Sequence, residues 1–68
     1  MRLSAYAIGD RVSIFVKTAR GYAWQIGKVA KIHRNVTLPS GIEIRVVLDS
    51  APGVERRVTV PENIKKVS

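Results

Sequence analysis

The sequence predicts an all-β domain, about five short antiparallel strands with one helical turn before the last. Three observations carry this. Apolar and polar residues alternate with a period of two along most of the chain, the pattern of strands that bury one face. Glycine, proline, serine and asparagine gather between the alternating runs and supply turns. No window of about 11 residues carries apolar positions at helical spacing.

The first strand is "RVSIFVK", residues 11–17, which follows Gly9-Asp10. It places Val12, Ile14 and Val16 on one face and Arg11, Ser13, Phe15 and Lys17 on the other. Phe15 therefore falls outside, where a ring hints at contact with a partner or a second copy. "TARGYA" makes the first turn, and the second strand alternates regularly from Trp24 to Ile26 and continues through "GKVAKI". Within it Val29 and Ile32 are three apart, a spacing that a flat strand does not put on one face. Gly27 is the expected site of the phase slip, as a bulge or bend. A bent second strand lets a sheet fold over and pair with itself, which removes open edges.

"NVTLPSG", residues 35–41, is the second break. "IEIRVVLD", residues 42–49, turns Ile42, Ile44, Val46 and Leu48 inward and Glu43, Arg45, Val47 and Asp49 outward. After "SAPG", "RRVTVP" at 56–61 aligns Val58 and Val60, with Arg57 and Thr59 opposite. Pro61 ends that strand because it has no N–H to give to a ladder. "ENI" reads as a single helical turn and "KKV" as the last strand. Residues 1–7 read as an N-terminal extension of a single domain spanning 1–68.

Sixty-eight residues leave room for one domain. The absence of cysteine excludes disulfides, thiolate metal ligands and a cysteine nucleophile. It agrees with a reducing, cytoplasmic setting. "MRLSAYAIGD" lacks the apolar run of a signal peptide, and no stretch reaches the roughly 18 apolar residues of a membrane helix. The expectation is a soluble cytoplasmic protein with no membrane partner. Twelve Lys and Arg against five Asp and Glu give a net charge of +7. Such a balance favours an anionic partner, with nucleic acid first, although charge can also serve solubility alone.

"IGDRV" leading into the first strand, a hairpin, a bending "GKVAKI", two further strands, a helical turn and a last strand resemble the SH3-like small β-barrels. "GKVAKI" also looks like the Gly-x-Val-x-x-Ile core of KOW elements of ribosomal proteins and transcription factors. The resemblance covers roughly residues 8–67 and implies a barrel with nucleic-acid partners. "GDRV" at 9–12, "AWQ" at 23–25 and "PG" at 52–53 are similar to segments of the plasmid-encoded type II dihydrofolate reductases, which are oligomers of SH3-like barrels. That family lines its pore with Val-Gln-Ile-Tyr just before a proline. Here "RVTV" precedes Pro61, so neither the Gln nor the Tyr carries over, and "AWQ" follows "GDRV" at a longer spacing.

Catalytic chemistry has few residues to work with. His33 is the only histidine, so no histidine cluster can hold a metal and no local nucleophile–base–orienter spacing exists. The acids, at 10, 43, 49, 55 and 62, form no adjacent pair. No glycine-rich phosphate loop occurs. The expectation is a non-enzyme without metal or cofactor, in which His33 is an ordinary surface residue.

Charge is distributed unevenly. Arg11, Lys17, Arg20, Lys28, Lys31 and Arg34 fall between Asp10 and Glu43 with no acid among them. Together with Tyr22 and Trp24, the cations Lys17, Arg20, Lys28, Lys31 and Arg34 form the candidate nucleic-acid site. Cations neutralise phosphates and rings stack on bases; the same surface suits duplex DNA through its backbone. Trp24 precedes Ile26, expected to be buried, at a two-residue spacing and so fits either core or platform. The leading expectation is a basic module that binds DNA or RNA. The alternatives are an interaction or homo-oligomerisation barrel joined through Phe15 and Trp24, and a type II reductase-like oligomer.

Overall fold

The computed structural model of the chain describes residues 2–67. It is all-β. Strands β1 (Arg11–Thr18), β2 (Gly21–Arg34), β3 (Ile42–Leu48), β4 (Glu55–Val58) and β5 (Ile64–Lys66) form one antiparallel sheet in the order β4-β3-β2-β1-β5. Two 3₁₀ turns complete it, Leu3–Ala5 and Pro61–Asn63, the second being the helical turn expected before the last strand.

Alternation does what the sequence asks of it in β1 and β3. Val12 and Ile14 are fully buried on β1, as are Ile44 and Val46, with Leu48 nearly so, on β3; Val29, Val58 and Ile64 join them. All belong to one core cluster, completed by Leu3 and Tyr6 from the N-terminal segment. The segment read as an extension thus contributes two core side chains. The Tyr6 hydroxyl donates to the Ile64 carbonyl oxygen across 3.2 Å. Burial, and to a lesser degree the charge of Asp10, pushes its pKa up.

The phase slip in β2 lies elsewhere than expected. Pairing with β3 runs Val29↔Val46 and then Lys31↔Arg45, so Ala30 is the extra residue of a bulge. A single inserted residue keeps Val29 and Ile32 on the core side and turns both Lys28 and Lys31 outward. Gly27 has another task. A Cβ there would stand 2.5 Å from the Val47 carbonyl oxygen and 2.9 Å from Val46 Cγ1. The glycine is needed because β3 passes so close. Strand β4 is also shorter than expected: it ends at Val58, and Val60, on the path to the second turn, is exposed.

The β1–β2 connection is a two-residue hairpin loop, Ala19-Arg20, between paired Thr18 and Gly21. Gly21 takes φ +107°, a value that side chains disfavour. Thr18 Oγ1 donates to the Gly21 carbonyl (2.7 Å) and accepts from the Arg20 N–H (3.2 Å). Arg20 is thereby fixed at the tip.

Candidate nucleic-acid interface

Pairing of β1 with β2 sets Lys17 opposite Tyr22, Phe15 opposite Trp24, Ser13 opposite Ile26 and Arg11 opposite Lys28. All eight lie on the face turned away from the core. On it Phe15 is 38% exposed, Tyr22 65%, Trp24 41% and Ile26 44%. Trp24 is therefore surface and not core. Ile26, expected to be buried, lies beside it because even-numbered positions of this half of β2 all point outward. Phe15 faces out as its phase in β1 requires.

The rings touch. Phe15 and Tyr22 stack with centroids 5.2 Å apart and planes 12° from parallel, and Trp24 leans on Phe15 at 5.4 Å and 50°. Both arrangements suit ring quadrupoles. Lys65, opposite Ser13 on β5, reaches across β1 and sets its ammonium 4.3 Å from the Trp24 ring centroid. Ser13, flanked by Ile26 and Lys65, is buried as a result. Sequence reasoning missed Lys65. Only the order of the strands brings β5 alongside β1, and no local spacing signals it.

Cations surround the rings. Among the described residues, Lys17, Arg20, Lys28 and Lys65 have no acid within 4 Å. Arg11, also in the basic stretch, is neutralised: its two terminal nitrogens grip the Asp49 carboxylate at 3.3 and 2.9 Å.

The other predicted cations sit apart from this patch. Beyond the bulge, the outer face of β2, β3 and β4 is an ion-pair lattice. Lys31 meets Glu55 at 3.5 Å, Arg45 meets Glu43 at 2.6 Å and Glu55 at 3.9 Å, and Arg57 meets Glu43 at 2.7 Å. Glu43 is only 7% exposed. The hydrogen bond from Arg45, with the charges of Arg45 and Arg57, holds its carboxyl below the ordinary carboxylate range against the opposing effect of burial. A carboxylate so firmly ionised is poorly suited to general acid–base work near neutral pH. His33 is paired with Glu43 in register and is exposed. Arg34 ends β2 opposite Ile42, on the far side of the lattice from Trp24. The structure thus brings Lys17 of β1 and Arg20 of the hairpin loop beside Tyr22, Trp24 and Lys28 on the first half of β2, and places Lys31 and Arg34 on the second half.

Among the described residues, no group of three His, Asp or Glu side chains converges as metal ligands would. Nor is any helix among the described residues long and apolar enough to cross a membrane. An open depression of about 580 Å³ lies between the first turn and the β4–β5 connection, lined by Leu3, Pro39, Ile42, Val60 and Pro61 with Arg2 and Glu62 at its edge. It contains none of the candidate nucleic-acid-binding residues. Compared with protein families, characterised proteins and solved structures, the chain finds no match.

Proposed function

We propose that the chain is a basic SH3-like small barrel that binds nucleic acid through the outer face of β5, β1 and the first half of β2. The single observation that carries this reading is a cluster of exposed rings, Phe15, Tyr22 and Trp24, ringed by Lys17, Arg20, Lys28 and Lys65, which have no acid partner among the described residues. Phosphates need cations free of acids, since a paired lysine must first give up its carboxylate. Barrel closure is supported by the short connection, residues 59–63, that joins edge strands β4 and β5.

The exposed apolar rings also favour a second reading, self-association through Phe15 and Trp24. An isologous contact would set the four unpaired cations of one copy against the same four of the other. Like charges meeting in that way oppose the pairing, and a polyanion relieves it. A salt-series titration against oligonucleotides, with mass measured in parallel, separates the two. Four phosphate contacts on a single strand predict a log–log slope of roughly −3. A salt-insensitive association with a concentration-dependent mass would favour the second reading. The reductase likeness is the most remote alternative, and neither the Gln nor the Tyr of that family's pore segment is present before Pro61.

A further inference from the structure

Resting on that reading, we infer that the partner is an unpaired stretch of nucleic acid, its bases laid on the rings and its phosphates at the rim. The arrangement of the patch points there. Rings and Ile26 occupy the middle, while Lys17 and Arg20 stand at the Tyr22 end and Lys28 at the other. A duplex offers the opposite arrangement: its phosphates face outward and its base faces are covered by their neighbours. Set against a duplex, Phe15, Tyr22 and Trp24 would lose water without gaining a stacking partner. A single strand offers both surfaces at once.

The dimensions agree. From Tyr22 to Ile26 the strand advances four residues, about 13 Å at roughly 3.3 Å per residue, enough for two or three bases in succession. Four cations at the rim are a fitting number for a segment of that length. Lys65 adds a specific step. Its ammonium covers Trp24 in the free protein, so a base that stacks there displaces it. The freed ammonium then serves a phosphate beside the same ring. The exposed middle of the patch carries apolar rings and Ile26 rather than a set of polar groups aimed at base edges. Stacking of this kind tolerates any base, and no strong sequence preference is expected.

Trp24 is the only tryptophan, so its emission reports on this face alone. The intact chain is titrated at low salt with oligothymidylate, with oligouridylate and with a duplex of mixed sequence. The expected result is binding of a single strand at least about tenfold tighter than the duplex, with quenching of Trp24. Tyr22→Ala, at the most exposed ring, should weaken single-strand binding by roughly 5- to 140-fold with the far-ultraviolet circular dichroism unchanged. It should leave residual duplex binding as it was. Duplex bound as tightly as single strand, with Trp24 emission unmoved, would overturn the inference while leaving the basic-module reading in place. No binding of any oligonucleotide at low salt would overturn both. Emission that changes with protein concentration alone would assign the rings to a second copy and overturn the inference as well.

Discussion

The outer surface of this sheet has two halves built from the same ingredients, and they behave differently. Around the first half of β2, rings lie exposed and, among the described residues, Lys17, Arg20, Lys28 and Lys65 have no acid beside them. Beyond the bulge at Ala30, Lys31, Arg45 and Arg57 are tied to Glu43 and Glu55. Both halves are basic in sequence; among the described residues Lys31, Arg45 and Arg57 of the lattice are ion-paired, and Arg34, at the far end of β2, has no acid within 4 Å. Position along the chain is a poor guide to field, because antiparallel pairing returns distant acids to nearby cations.

The largest expected effect lies where the halves join. Gly27→Val puts a branched side chain where even a Cβ meets the Val47 carbonyl and Val46 Cγ1. Overpacking of this kind costs about 1–3 kcal/mol, to be read from urea melts. An unchanged midpoint would mean that β2 and β3 are not so closely apposed there, and the division between the halves would lose its structural basis.

Next comes the ring half. Trp24→Ala removes an exposed side chain and should retain the fold while weakening single-strand binding by about 1–3 kcal/mol, if a base stacks there. Phe15→Ser should act in the same direction with little loss of stability, and should shift to monomer any oligomer that the wild type forms. If Phe15→Ser unfolds the chain, the ring supports the sheet more than its exposure implies.

The ion-paired half should respond to pH. Glu43 has a lower pKa folded than unfolded, so its ionised form stabilises the native state. That contribution is present in full above the unfolded value and is lost as the pH falls through the lowered folded one. Thermal midpoints should therefore fall on acidification below about 4.5, the ordinary value. Glu43→Gln should lower stability at neutral pH and flatten this acid limb, leaving oligonucleotide binding unaltered. An acid limb identical in both proteins would remove Glu43 as its source.

The smallest effect is the sharpest comparison. Lys28→Ala and Lys31→Ala remove the same charge three residues apart, one on each side of the bulge. Lys28→Ala should flatten the logarithmic salt slope by roughly 0.7, whereas Lys31→Ala, whose ammonium is held by Glu55, should leave it nearly unchanged. Equal effects would mean that phosphates compete successfully for Lys31.

Much of the fold was legible because period-two patterning is local. Val12, Ile14, Ile44, Val46 and Leu48 announce their faces through their immediate neighbours, and Phe15 announces its exposure in the same way. The phase slip in β2 was legible as an event but not as a place. Glycine draws attention to itself, whereas the inserted Ala30 has no chemical signature; the partner strand alone reveals it. The site was half legible. Tyr22, Trp24, Lys17, Arg20 and Lys28 follow from one hairpin. The pairing of Lys31 with Glu55, the burial of Glu43 between two arginines and the arrival of Lys65 over Trp24 depend on strand order across the whole sheet, which no short window contains. Ile26 departs from the expected burial because its parity with Tyr22 and Trp24, and not its apolar character, decides its face.

The central claim is that one half of the outer face meets the partner and the other does not. Amide chemical-shift mapping during titration with oligothymidylate tests it most directly. Shifts should concentrate at residues 13–17, 22–28 and 64–66, with 43–47 and 55–58 unmoved. Shifts concentrated in β3 and β4, or spread evenly over both halves, would contradict it.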